Sequence, residues 1–331
     1  MKRFSTLAVI SVLLCISCTR TKKYVTADGM MIGTTFHICA ELDGVSSADI
    51  QAVMMHTDSV ARASYSIFDE GSLLSRINRN ETDSLDEHLM RNFAVADDVW
   101  AISGGRYDIT VKPLTEAWGF AAGRGESNPD TDSLLLFVGR DKWHLENGRV
   151  VKSDERVQFD LNSIAKGYTV DMAALALERM GAENYIVEIG GEVRCRGVNP
   201  SGRPWRVGVD TPYEGNMSPG ESMCGTVSLQ DRALATSGNY RRFHIDADGR
   251  RIVHTIDPRT GHGAVSRLLS ATVAAADCTT ADALATMFMV VGDEEAVRLA
   301  VSMRDSVQVF FVLAPGEGTD EEYEIFSTME E

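Results

Sequence analysis

The sequence predicts an α+β fold, a single mixed α/β body with βαβ and antiparallel sheet elements. Three observations lead there. Strand-like and helix-like runs interleave along the chain. One passage sends VQFDL (157–161) through a turn into the helical run AKGYTVDMAALALER, then into YIVEI, EVRCRG and WRVGVD. No internal repeat and no clean linker divides the 331 residues, and 44% of them are hydrophobic, enough for one sizeable core.

The elements follow in order. Residues 1–18, MKRFSTLAVISVLLCISC, read as a signal. Lys2 and Arg3 precede an apolar stretch from Leu7 to Ile16 that is too short to span a bilayer. Ser17 before Cys18 resembles a bacterial lipoprotein cleavage site with Cys18 as the lipidated residue, although Cys15 stands where leucine is usual. An uncleaved anchor or a soluble exported chain is the other reading. Residues 19–29 are polar and read as a tether, and the folded body is expected over 30–314. MIGTTFHICAEL reads as a strand. Ser46 and Ser47 suit the cap of a helix with Ile50, Val53, Met54, Val60 and Ala61 on one face. A second helix is expected over 86–102, stopping at Gly104 and Gly105. A long polar loop spans 121–133.

The helix after Lys166 is the clearest in the chain. Val170, Ala173, Ala174 and Leu177 fall at i, i+3, i+4 and i+7, and Gly181 ends it. After YIVEI, EVRCRG and WRVGVD, further strands are expected near 225–229, 242–246, 252–256 and 268–276. Helices over 280–291 and 293–304 precede a last strand, VQVFFVL. The acidic tail, 315–331, is expected to fray.

The net charge of −16 becomes −18 if Lys2 and Arg3 leave with the signal. That excludes nucleic acid as a partner, because no basic stripe balances it. An anionic substrate then needs a local basic and metal-assisted site. Cys39, Cys195, Cys224 and Cys278 are widely spaced with no CxxC, so no zinc site is indicated and free thiols are expected.

Five stretches carry candidate chemistry. In DLNSIAKGYTVD (160–171), Lys166 and the helix N-terminus near Ala165 suit an anion, and Gly167 permits close backbone approach. An ordinary turn with an exposed lysine is the plainer alternative. The stretch is neither a P-loop nor GxGxxG. In TTADALATM (279–287), Asp282 and Thr286 share a helix face and form a hard oxygen pair suited to Mg²⁺. An acid near a helix start is also favoured by the dipole alone. In HTIDPRTGH (254–262), His254 ends a strand before a turn, a place for a general base or for a structural histidine. In SGGRYDITVKPLTEAWGF (103–120), Trp118 and Phe120 flank Gly119 and suit either a flat ring or the core. In SIFDEGSLLSRIN (66–78), Phe68 suits a ring contact, and Ser72 and Ser75 suit helix caps.

Together with GTTF, EIGGEVRCRG and ATSGNYRR, these stretches resemble, in order, the ApbE-type flavin transferases, the FAD:protein FMN transferases. The resemblance runs from about Gly33 to about Gly292 and implies the T-fold-like body of that family. It implies a periplasm-facing, lipid-anchored enzyme of the bacterial cell envelope. FAD is its substrate and Mg²⁺ its metal. It would attach FMN through a phosphoester to Thr or Ser of an acceptor flavoprotein, a membrane redox subunit or periplasmic reductase, and release AMP. Some members hydrolyse FAD to FMN and AMP instead, and a flavin-binding lipoprotein without catalysis is the non-enzymatic alternative. By the same resemblance, Asp282, Thr286 and the Ala165 carbonyl fall on metal ligands, with Thr279 adjoining. Phe68, Trp118, Gly119 and Phe120 fall on flavin contacts; Asn162, Lys166 and Tyr168 on the FAD-binding turn; Ile256 on a nucleotide contact. His254 falls on the histidine that helps deprotonate the acceptor hydroxyl. Two departures stand out. Asn162 and Ser163 replace a frequent Gly-Gly, and Ile32 replaces the methionine that usually precedes the first Gly-Thr.

Overall fold

A computed structural model describes residues 23–329 except 122–124, 126–127, 214–215, 217–219, 241–242, 246–248, 250, 317 and 319–321. The signal and Cys18 lie outside the described residues. The run MIGTTFHICAEL is not one strand but the turn and second arm of a hairpin. Tyr24–Met31 is β1, Thr34–Glu41 is β2, and Ile32 and Gly33 turn between them with φ of 42° and 77°. Residues 24–29, read as tether, therefore belong to the sheet. Their polarity is that of an edge strand, buried at Ala27 and Met31 and wet at Thr26, Asp28 and Met30.

Caps set the first helices. In α1 (Ser47–Ser64) Ser46 accepts the Asp49 N–H and Asp49 returns the bond, a full capping box. Ser72 caps α2 (Leu73–Asn78), and Asp86 caps α3 (Glu87–Ile102). Next come α4 (Lys112–Ala117), α5 (Thr131–Leu135) and the hairpin of β3 (Trp143–Glu146) and β4 (Arg149–Lys152). VQFDL, expected as a strand, is a buried irregular segment. The Asn78 side chain accepts the Phe159 N–H at 2.7 Å and donates to the Phe159 carbonyl at 2.9 Å, so this backbone is satisfied without a sheet partner.

The chain then forms α6 (Ala165–Arg179), β5 (Tyr185–Ile189), β6 (Glu192–Arg196), β7 (Trp205–Asp210), β8 (Met223–Leu229), β9 (Ala233–Gly238), β10 (Phe243–Ile245), β11 (Arg251–Val253) and β12 (Leu268–Ala275). It ends with α7 (Cys278–Val291), α8 (Asp293–Ser302), β13 (Gln308–Leu313) and β14 (Glu324–Ser327). Eight strands make the main sheet in the order β1-β2-β5-β6-β9-β12-β13-β14, and every neighbouring pair is antiparallel. The α+β body is therefore present, but among the described residues no parallel βαβ unit contributes to it. β14 lies in the tail expected to fray, where it completes the sheet beside β13.

Helices α6 and α7 pack on each other and on one face of the sheet. The β7–β8 hairpin covers the other face, with Trp205, Val209, Val227 and Leu229 against Cys39, Val193, Cys195 and Leu234. All four described cysteines are free.

Candidate active site

Where the N-terminal ends of α6 and α7 meet, a small residue is obligatory. A Cβ on Gly167 would stand 2.2 Å from the Cys278 carbonyl oxygen and 2.7 Å from Asp282 Cβ. The glycine foreseen as a point of close approach thus admits a neighbouring helix. Each helix then caps the other. Asp282 of α7 accepts the Gly167 N–H at 2.8 Å. Asp171 of α6 accepts the N–H groups of Cys278 and Thr279 at 3.0 and 2.8 Å and the Thr279 hydroxyl at 2.5 Å.

Beside this junction lies a cavity of about 1170 Å³. Of the residues singled out from the sequence, Ile32, Phe68, Phe120, Asn162, Ala165, Lys166, His254, Ile256, Asp282 and Thr286 line it. The tertiary fold gathers them from the β1–β2 turn, the α1–α2 loop, the chain just past α4, the turn into α6, the face of α7 and the segment after β11. Phe68 is 61% exposed at the lip. The Phe120 ring lies 6.2 Å from His254 and 5.0 Å from His244, centroid to centroid.

Four of the foreseen residues lie off the cavity wall. Trp118 is buried, and its indole N–H donates to the Gly261 carbonyl at 2.7 Å, tying α4 to the 257–261 turn. Gly119 turns the chain at φ 80° against the backbone of Gly125. Tyr168 points toward α3 and the end of α1: its hydroxyl meets His88 Nδ1 at 2.9 Å and its ring meets Tyr65 edge-on. Thr279 is 1% exposed and committed to Asp171.

The turn before α6 is fixed by polar bonds. Asp160 accepts the Asn162 N–H and the Thr115 hydroxyl, each at 2.9 Å, and Ser163 meets the Tyr107 hydroxyl at 2.9 Å. The first-turn N–H groups of Ala165 and Gly167 are already engaged, by Leu161 and Asp282. Anion binding here therefore falls mainly to the Lys166 side chain rather than to the helix end. The Lys166 ammonium lies 2.5 Å from Glu192, a carboxylate that sequence reasoning missed. Burial works to lower the Lys166 pKa, but Glu192 and Asp282 outweigh it and the net shift is upward. Burial pushes the Asp282 carboxyl up, while Lys166 and the Gly167 N–H pull it back. Arg106 was missed as well. It donates to the Val291 carbonyl at 2.6 Å and lines the cavity from the far end of α7. A lone arginine after Gly-Gly gives no sequence signal for that.

Asp282, Thr286 and the Ala165 carbonyl offer only hard oxygen donors, as Mg²⁺ requires. Asp282 spends one oxygen on Gly167 and keeps the other, and the Thr286 hydroxyl meets Ser237 at 2.9 Å. The Ala165 carbonyl also accepts from the Thr169 hydroxyl at 2.8 Å. The cavity wall strengthens the fit. Among the described residues it carries eight carboxylate residues (Asp69, Glu70, Asp108, Asp160, Glu188, Glu192, Asp210 and Asp282) against three permanent cations, Arg62, Arg106 and Lys166.

Comparison with known proteins agrees with this geometry. Residues 32–311 match the ApbE family. The chain is 32% identical over 327 residues to the FAD:protein FMN transferase of Haemophilus influenzae, covering 94% of this chain and 93% of that one. It is 33% identical over 327 residues to the FAD:protein FMN transferase of Vibrio cholerae, covering 95% of each. Among solved structures, the flavin transferase ApbE of Vibrio cholerae superimposes with a TM-score of 0.79 at 30% identity, over 92% of this chain and 97% of that one. The apo form of the Pseudomonas stutzeri flavinyl transferase ApbE gives 0.80 at 28% identity, over 92% and 95%. From a family match that spans nearly the whole folded body, and from likeness at the level of both sequence and fold, the chain belongs to the ApbE family.

Proposed function

We propose that this chain, an FAD:protein FMN transferase by family, is Mg²⁺-dependent and works from the outer side of a bacterial membrane, held by a lipid on Cys18. The observation that carries the metal dependence is the acid excess of the cavity wall. A dinucleotide brings its own negative charge into a space where carboxylates already outnumber fixed cations. A divalent cation offsets part of that negative charge where the phosphates must lie. Asp282, Thr286 and the Ala165 carbonyl are the residues that would hold it. When bound, Mg²⁺ neutralises phosphate oxygens and steadies the AMP leaving group.

The chain's own residues supply the rest. Phe68 and Phe120 offer ring surfaces to the flavin, and Ile256 an apolar contact to the nucleotide. Lys166 offers a fixed positive charge to the pyrophosphate. His254 is the base that takes the proton from the acceptor Thr or Ser hydroxyl as its oxygen attacks the FMN phosphorus. A new phosphoester forms, the pyrophosphate bond breaks, and AMP departs with the electron pair.

The test is incubation of the protein with FAD and Mg²⁺, with and without an acceptor peptide. Transfer gives AMP and a flavinylated peptide. FMN and AMP in both arms, with unlabelled peptide, marks a pyrophosphatase, and unchanged FAD marks a binding protein. Excess EDTA and Asp282→Ala should each abolish AMP release, while FAD binding partly survives on the ring contacts. Full turnover in EDTA would refute the metal role.

A further inference from the structure

Strand β6 sends two charges toward α6. Arg194 meets Asp171 at 2.7 Å, and Glu192 meets Lys166 at 2.5 Å. The first pair has a structural duty, because Asp171 also caps α7. The second pair stands on the cavity wall, with the Glu192 side chain 2% exposed. A buried ion pair is a poor source of net stability, since desolvation offsets most of the attraction. Its presence here calls for another reason.

The surroundings of Lys166 supply one. Its ammonium also reaches the Gly190 carbonyl at 3.3 Å. Gly190 has φ 57°, and a Cβ there would stand 3.3 Å from Lys166 Cδ and 2.8 Å from Thr34 Cγ2. The missing side chain clears a slot for the lysine stem toward the β5–β6 turn. Glu192 holds the ammonium, and Asp282 stands on the same cavity wall, bonded at 2.8 Å to the N–H of Gly167, the residue that follows Lys166. Asp282 has committed one oxygen to Gly167 and needs the other for a cation.

We propose that Glu192 is a positioning residue that keeps the Lys166 ammonium off Asp282, leaving that carboxylate open to a divalent cation before the dinucleotide arrives. This rests on the metal reading above. Without Glu192 as its partner, Lys166 turns to Asp282 and competes with the metal there.

The experiment is Mn²⁺ binding to the purified protein without nucleotide, read by electron paramagnetic resonance. Glu192→Gln keeps the shape of the side chain and is expected to weaken Mn²⁺ binding about tenfold, the size of a one-unit charge effect. Adding Lys166→Met to Glu192→Gln removes the competitor and restores wild-type affinity or better. Glu192→Asp keeps the charge one methylene further back and gives a smaller loss of the same sign, which serves if Glu192→Gln does not fold. Wild-type Mn²⁺ affinity in Glu192→Gln, a loss that persists in the double variant, or a wild type that takes no Mn²⁺ without nucleotide overturns the proposal. Asp282→Asn separates the two levels. If it binds Mn²⁺ like the wild type, the metal reading itself fails; if it loses Mn²⁺ while Glu192→Gln does not, only the role of Glu192 fails.

Discussion

His254 sits just past the end of β11, beside Phe120 on the cavity wall. A hydroxyl nucleophile has a pKa far above neutrality, so a positioned imidazole contributes roughly 10²–10⁴-fold to its transfer step. His254→Asn is expected to lower peptide flavinylation by about 10²-fold or more, with FAD affinity little changed. Single-turnover flavinylation across pH checks it. The wild-type rate should fall as the imidazole protonates, and the variant should lose that dependence. Equal rates and matching pH profiles would remove His254 from the mechanism. Ile32 marks the same wall in another way. A β-branched residue at φ 42° is strained, and its N–H is held by Asp58 of α1 at 2.6 Å. The strain sits where the first hairpin meets the cavity, as is common at ligand sites.

Among the elements, the α6–α7 junction matters most. Gly167→Ala drives a methyl into the Cys278 carbonyl, and overpacking of this kind costs ~1–3 kcal/mol. Parting the helices also draws Asp282 away from the Gly167 N–H. The expected result is a lower denaturation midpoint together with lost metal-dependent turnover; an unchanged midpoint would show that the junction yields more easily than its contacts suggest. The β3–β4 hairpin is pinned differently. Lys152 donates to the carbonyls of Ile77 and Val157 at 3.0 and 2.9 Å, closing the C-terminal end of α2. Burial pulls its pKa from 10.5 to about 8. Between those values the unfolded chain binds more protons than the folded one, so this group makes stability rise with pH across that window. Lys152→Met should flatten the rise. Chemical denaturation of both proteins through the window reads it, and parallel curves would count against the assignment.

For the whole molecule, the sheet leads its first strand out at Tyr24, so only a short segment separates the folded body from Cys18. If Cys18 carries lipid, the body sits close to the membrane. Cys18→Ala is expected to release the protein into the soluble fraction and to lower its mass by more than the substitution accounts for. Unchanged membrane association and a mass shift of the substitution alone would end the lipoprotein reading. The sequence by itself determined the order of motifs that marks the family, the face of α6, the caps of α1 and α2, and the pairing of Asp282 with Thr286 one turn apart. All of these are short-range signals, written within a few residues by helix period, capping and turn chemistry. Only the tertiary structure decided that β1 begins inside the apparent tether, that VQFDL bonds to Asn78 instead of a strand, and that Trp118 and Tyr168 turn away from the cavity. It alone set Glu192 against Lys166 and Asp282 against Gly167, the latter across 115 residues of sequence. The physical reason is that a polar side chain takes whichever partner packing brings within hydrogen-bond reach, and across such separations no local pattern records that partner.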